Sequence, residues 1–228
     1  VVCTLITGAN KGLGAACVKK LEKEGHDIIG IDGRKAYDFN KKDSVYKLCE
    51  ELQKYNIDNI IHCAGGGFGF NDPLIDWEHF ETLFRINMLA ASTINKFVVP
   101  NMITNNNKGS IIHIGSMASK QVTASVGYSA VKASVNAYVR TLARSLIEHD
   151  IRVNAILPGS FIAEGNRWYI HTKCEESWLK EYVEKTCPRG SLGNVDEVLP
   201  LIEFLLSEES RMMTGSCIPI DNAEGVYI

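Results

Sequence analysis

The segment Val1–Gly14, VVCTLITGANKGLG, decides the fold. Its opening run, Val1 to Thr7, is apolar and rich in β-branched side chains, which suits a strand buried on both faces of a parallel sheet. Gly8, Gly12 and Gly14 follow at once, and Ala15 to Glu24 then carries a helical pattern. Strand, glycine turn and helix in that order form an anion site. The glycines let the backbone come close, and the helix N-terminus offers N–H groups that lack intrahelical partners. A glycine trio by itself marks only a tight turn. Between a buried strand and an amphipathic helix, it points to a dinucleotide.

Working outward, His26 to Ile31 predicts a second strand that ends at Asp32, roughly twenty residues beyond the turn, where a carboxylate grips the adenosine ribose hydroxyls. Asp32 would also repel a 2'-phosphate by ~4 kcal/mol at about 4 Å and an effective dielectric of about 20. NAD is therefore favoured over NADP, with Lys11 and Arg34 as cationic counterweights. A buried strand is expected at Asn59–His62 and further strands at Gly109–Gly115 and Ile151–Leu157, with a helix at Asp43–Tyr55. In Gly127–Leu146, apolar residues from Val131 to Leu146 recur at helical spacing without Gly or Pro, which predicts a helix. That helix puts Tyr128 and Lys132 four apart on one face, where an ammonium would lower the phenol's pKa and fit it for proton exchange.

The 228 residues, 45% hydrophobic and 22% charged, suit one α/β domain, and a net charge of -3 gives no electrostatic case for nucleic acid. Seven cysteines without metal-ligand spacing read as free thiols in a reducing cytosol, so a cytoplasmic protein without a metal is expected. Apolar runs are too short to span a membrane, and no signal peptide precedes the first strand. The sequence reads as trimmed, since it lacks an initiator Met.

TGANKGLG, Asp32, Asn87 in RINMLA, Ser116 in IIHIGSMAS, Tyr128 and Lys132 in YSAVK, and Pro158-Gly159 in NAILPG together resemble the short-chain dehydrogenase/reductase family. The resemblance spans nearly the whole chain. It implies a Rossmann-type, doubly wound parallel sheet in the order 3-2-1-4-5-6-7, a single catalytic domain over 1–228 and a substrate lid at about 160–187. It implies that Tyr128 is the acid/base, that Lys132 lowers its pKa and holds the ribose, that Ser116 positions the substrate oxygen, and that Asn87 bends its helix and holds a relay water. Cofactor contacts are implied for Gly8, Asn10, Lys11, Gly12, Leu13, Gly14 and Asp32, for Asp38 with Phe39 near the adenine, for Cys63, Ala64 and Gly65, for Pro158 and Gly159, and for Ile162 at the carboxamide. A homodimer or homotetramer is implied by the apolar helices around Asn87 and Tyr128.

The sequence departs from the family pattern in places. Only GRKAYDFN separates Asp32 from the next helix, so the third strand is expected to be a stub, similar to bacterial 3α-hydroxysteroid dehydrogenase-type members. His62-Cys63-Ala64-Gly65 replaces NNAG, Asp221-Asn222-Ala223 replaces DGG, and Ala163 replaces a diphosphate-binding threonine, whose contact is either lost or supplied by Ser160. His62 is expected to be structural. Pro219 places the last strand at the sheet edge. Gly65–Phe70 reads as a pocket wall, or simply as a flexible loop, and Phe161–Trp178 as an aromatic lid, or as a hairpin packed on the core. Three functions remain open. The first is an NAD-linked oxidoreductase of a secondary alcohol or ketone, with a sugar, steroid or other ring substrate. The second is an NADPH-dependent 3-oxoacyl carrier-protein reductase. The third is a non-catalytic NAD-binding or assembly protein, which intact Ser116, Tyr128 and Lys132 argue against.

Overall fold

The computed structural model describes residues 1–33, 36–122, 124–174 and 177–226. Arg34, the counterweight to Asp32, lies outside them. The strands are β1 (Cys3–Thr7), β2 (Asp27–Ile31), β3 (Asn59–His62), β4 (Ser110–Ile114), β5 (Arg152–Pro158), β6 (Phe161–Ile162), β7 (Gly193–Asn194) and β8 (Cys217–Ile220). Six of them form one sheet in the order β2-β1-β3-β4-β5-β8, and β6 and β7 pair apart from it. Every pairing is parallel.

The α-helices are α1 (Gly12–Lys23), α2 (Lys42–Leu52), α3 (Trp77–Phe84), α4 (Ala90–Thr104), α5 (Val126–Leu146), α6 (Arg167–Lys173), α7 (Ser177–Thr186) and α8 (Val195–Leu206). Two cores cover the two faces of the sheet. Leu48, Ile94, Val98, Val135 and Val139 from α2, α4 and α5 pack one face, while Leu13, Cys17, Leu21, Val198 and Ile202 from α1 and α8 pack the other. β5 is buried at every position, as a central strand covered on both faces must be. The α8 N-terminus carries the capping box of Asn194 and Glu197 that its sequence spells.

The sheet keeps the family order but stops at β2. Among the described residues between Gly33 and Lys41 there are turns and no stub strand. Phe39 is buried in the core of that face, and its ring lies so close to Gly33 that a Cβ there would come within 2.8 Å of it. At the other edge β8 pairs with β5 alone, which is where Pro219 can lack an N–H at no cost to a ladder.

The turn after β8 explains what replaces DGG. Asn222 (φ 53°) and Ala223 (φ 59°) both adopt the left-handed backbone that two glycines would take without strain. Asp221 holds the turn by accepting from the N–H of Ala223 (3.2 Å) and of Gly225 (3.0 Å). Asn tolerates this region; Ala does so at a cost of about 1 kcal/mol. Ala223→Gly is therefore expected to stabilise the protein by up to about 1 kcal/mol in urea unfolding. No gain, or a loss, would show that the turn carries no strain.

Candidate active site

The carboxyl ends of β1, β3, β4 and β5 converge on one crevice, and each supplies a piece of it. After β1, the glycine turn packs directly on the turn after β3. A Cβ on Gly8 (φ 70°) would lie 2.8 Å from the Ala64 nitrogen, and one on Gly14 would lie 2.1 Å from the Gly8 carbonyl oxygen. The cradle is bare backbone because no side chain fits, as close approach to a pyrophosphate requires. Leu13 anchors α1 in the core beneath it. Gly8 and Ala9 donate to the Ile31 carbonyl at 2.8 and 3.2 Å, which draws the end of β2 alongside. Asn10 Nδ2 donates to Asp32 Oδ2 at 2.8 Å and orients that carboxylate.

Two donors expected to be free are already engaged. The Gly12 N–H donates to the Glu164 carbonyl at 2.7 Å, and a Cβ on Gly165 would touch the Lys11 side chain, so the start of the 160–187 segment sits on the glycine turn. Ser160 is buried, with its hydroxyl 2.8 Å from that of Tyr182, so it is not free to replace the threonine missing at Ala163, itself buried. Pro158 ends β5, Gly159 donates to the Ile220 carbonyl at 3.1 Å, and Ile162 lies in β6. Asp38 sits beyond Asp32 with its carboxylate accepting from the Asn40 N–H at 2.9 Å and facing Lys41 at 3.5 Å. Phe39 has only its backbone to offer, since its ring is core.

Arg85–Leu89 is a single π-helical stretch between α3 and α4, and Asn87 is buried within it. Its Oδ1 accepts from the Gly66 N–H at 2.9 Å, and its Nδ2 donates to the Gly66 and Leu83 carbonyls, each at 3.0 Å. Gly65 lies between Asn87 and Lys132, where a Cβ would come within 2.5 Å of Asn87 Oδ1 and 3.3 Å of Lys132 Nζ. Ser116 leaves β4 in extended backbone and caps the short turn Met117–Ser119, accepting from the Ala118 N–H at 3.2 Å. The Gly65–Phe70 loop runs past Tyr128, close enough that a Cβ on Gly67 would touch the ring at 3.7 Å, which makes it a wall of the crevice.

Lys132 is buried, donates through Nζ to the Ile114 carbonyl at 2.8 Å, and lies 5.6 Å from the centre of the Tyr128 ring. Burial pulls the Lys132 pKa down to about 8, with the neighbouring Cys63 thiol opposing. Enclosure raises the Tyr128 phenol above its ordinary value, and the Ser116 hydroxyl opposes this. This direction is opposite to the lowering expected from the ammonium, and its main cause is the loss of solvent around the phenol.

Beneath the site lies a polar cluster that the sequence reading saw only in part. His62 Nε2 is 2.8 Å from Asn95 Oδ1, and Asn95 Nδ2 also reaches His113 Nε2 (3.4 Å) and donates to the Tyr138 hydroxyl (3.2 Å). The two imidazoles, opposite each other in the β3–β4 register, stack at 4.6 Å. His62 Nδ1 is buried and has no partner among the described residues. His62 is structural, as expected, and the signal for its partners was present: His113 in the matching strand position and Asn95 two helical turns past Asn87.

Residues 35–223 match the family model described as Enoyl-(Acyl carrier protein) reductase. The chain belongs to the short-chain dehydrogenase/reductase family. Among similar curated proteins, L-xylulose reductase of Mesocricetus auratus is 26% identical over 236 residues, covering 95% of this chain and 93% of that one. The 3-oxoacyl-(acyl-carrier-protein) reductase FabG of Thermotoga maritima is 30% identical over 243 residues, covering 96% of each. A solved structure of 4-hydroxyisoleucine dehydrogenase complexed with NADH shares the fold at a TM-score of 0.89 and 22% identity, over 97% of this chain and 98% of that one. As a family member, the chain is an oxidoreductase that exchanges hydride between a nicotinamide dinucleotide and a C=O/CH–OH pair. Among the described residues no cluster of three His, Cys, Asp or Glu side chains is arranged to hold a metal, and no helix is long and apolar enough to cross a membrane.

In this family member, the substitution of His for the first Asn of NNAG carries a pH signature. Burial lowers the His62 pKa from 6.5 to about 4 and pushes His113 well below its ordinary value. The unfolded chain binds more protons than the folded one in that interval, so stability is complete above pH 6.5 and is lost as pH falls towards 4, by ~3 kcal/mol for His62 alone. His62→Asn is expected to flatten the loss in urea unfolding across that window. An unchanged slope would show that the imidazole is charged, or solvated, in the folded state.

Proposed function

We propose that the protein is an NAD(H)-linked dehydrogenase/reductase of a secondary alcohol or ketone, acting as a single catalytic domain with residues 160–187 as a lid. The observation that carries the reading is the convergence of Ser116, Tyr128, Lys132 and Asn87 beside a glycine cradle with Asp32 at its far end. The cradle residues Gly8, Asn10, Lys11, Gly12, Leu13 and Gly14, with Asp32, Asp38, Phe39, Cys63–Gly65, Pro158, Gly159 and Ile162, would hold the dinucleotide. The bare backbone at Gly8 and Gly14 supports the fit. The nicotinamide, when bound, supplies or accepts the hydride.

The chain's own groups handle the proton and the oxygen. Ser116 steadies the substrate oxygen as charge changes on it. Tyr128 transfers the proton: as a phenol it gives one up in ketone reduction, and as a phenolate it takes one in alcohol oxidation. Because enclosure keeps the phenol protonated, its reductive role is ready at neutral pH, whereas oxidation needs a higher pH. Lys132, fixed by the Ile114 carbonyl, favours the phenolate once it forms and holds the ribose hydroxyls. Asn87 clamps Gly66 and, through its π-helical turn, would place a water for proton exchange with Lys132.

Asp32 favours NAD over NADP by charge, and its position beside Asn10 supports this. The protein is cytoplasmic and forms a homodimer or homotetramer through the helices around Asn87 and Tyr128. The likeness to the Thermotoga maritima reductase favours a second reading, an NADPH-linked 3-oxoacyl carrier-protein reductase. That reading calls for NADPH preference and a basic docking face.

Fluorescence titration with NADH and NADPH, repeated on Asp32→Ala, separates the two. Tighter NADH binding that weakens in the variant is expected; tighter NADPH binding would move the carrier-protein reductase to the front. With a turned-over substrate in hand, Tyr128→Phe is expected to lower the rate by roughly a hundredfold or more. In the wild type, alcohol oxidation should climb with pH while ketone reduction does not. Activity surviving in Tyr128→Phe would remove the acid/base assignment.

A further inference from the structure

Glu224 is a buried carboxylate that neither the sequence nor the family pattern singles out. Its Oε2 accepts from the Ser160 N–H at 2.6 Å, and its Oε1 accepts from the Tyr182 hydroxyl at 2.8 Å and faces the Cys187 thiol at 3.6 Å. None of these partners carries a positive charge. Taking a carboxylate out of water costs several kcal/mol, offset here only by short hydrogen bonds. Those bonds run to two segments, the loop that continues Pro158-Gly159 and the lid helix α7, which also meet directly where the Ser160 and Tyr182 hydroxyls lie 2.8 Å apart.

The surroundings are shaped for it. A Cβ on Gly159 would lie 2.4 Å from Glu224 Oε2, so the glycine admits the carboxylate under the strand-end loop. The Asp221–Gly225 turn, with its two left-handed residues, aims the side chain inward. Tyr182 is also part of the ring cluster that joins α6 to α7, with Trp168 at 4.8 Å and Trp178 at 6.3 Å. Burial, aided by the carboxylate beside it, raises the Tyr182 pKa and keeps it a donor. The start of the same segment is tied to the glycine turn by the Glu164 carbonyl.

We infer that Glu224 is a positioning residue whose carboxylate ties α7, through Tyr182, and the strand-end loop, through Ser160, to the turn after β8, and so holds α6 and α7 closed towards the glycine turn and slows dinucleotide release. The part concerning release rests on the dehydrogenase reading; the latch itself does not.

The lid's own tryptophans report on it. The chain has three tryptophans, and Trp77 is exposed on α3, so Trp77→Phe leaves Trp168 and Trp178 as the fluorophores. In that background Tyr182→Phe and Glu224→Ala are expected to increase acrylamide quenching of the lid tryptophans. They are also expected to speed NADH release in stopped flow by about tenfold or more, since Tyr182→Phe removes the bonds to Glu224 and Ser160, and Glu224→Ala removes those to Ser160, Tyr182 and Cys187. Tyr182→Phe guards against a folding defect in the alanine variant. Ser110→Ala, which removes a bond to the Leu205 carbonyl remote from the lid, serves as the control and should leave both readouts unchanged. Variants that melt cooperatively yet match the parent in quenching would overturn the latch, as would an equal change in the control. If the parent does not bind NADH, the dehydrogenase reading fails, and quenching alone decides the latch.

Discussion

The active end of the molecule depends on holding one ammonium where water does not reach it. Lys132 projects from α5 onto the last carbonyl of β4, and that 2.8 Å bond gives its charge a fixed place. Several features of the fold serve this contact. Gly115, just past the carbonyl, has no room for a side chain, since a Cβ would lie 2.4 Å from Leu157. β4 and β5 can therefore close up and bring α5 down onto the sheet. Gly65 leaves the gap through which Asn87 and Lys132 approach each other, and the π-helical turn brings Asn87 there without breaking the α3–α4 rod. π-helical turns are uncommon and concentrate at functional sites.

The departures from the family pattern are compensated locally, each by different chemistry. His62 is too large to act as an asparagine does, yet it keeps an amide partner in Asn95 and gains a stacked neighbour in His113. The result is a cross-sheet polar cluster whose imidazoles must stay neutral, so the central sheet is held together at the expense of acid stability. At the other end, Asn222 and Ala223 accept a backbone better suited to glycine, and Asp221 bonds both ends of the turn. That turn keeps Glu224 aimed at Ser160 and Tyr182.

What could be read in the sequence follows from how local each signal is. Strand, glycine turn and helix at 1–24 are written in consecutive residues, as are the Tyr128–Lys132 spacing and the Asn194–Glu197 cap, and all three take the expected form. The missing strand beyond β2 was only half legible: the shortness of GRKAYDFN was plain, but that Phe39 would fill the space over Gly33 depends on contacts six residues apart in a folded turn. The engagement of Gly12 by Glu164 and of Ser160 by Tyr182 joins segments far apart in sequence. Such pairings leave no periodicity behind. Glu224 is the extreme case, since an isolated Glu near a chain end reads as a solvated charge until the fold buries it.

The pKa directions at the site resolve an apparent conflict in the same physical terms. Burial opposes a phenolate at Tyr128 and an ammonium at Lys132 when each is taken alone, which is why one pKa rises and the other falls to about 8. The two penalties do not simply add when both groups are charged, because opposite charges in a poorly solvated crevice attract more strongly than in water. Enclosure thus favours the uncharged forms, and attraction to Lys132 offsets part of the cost when a phenolate forms. A lid that excludes water sharpens this balance. Gly65 and Gly67, which bring the loop after β3 against Lys132 and the Tyr128 ring, are part of what encloses the pair.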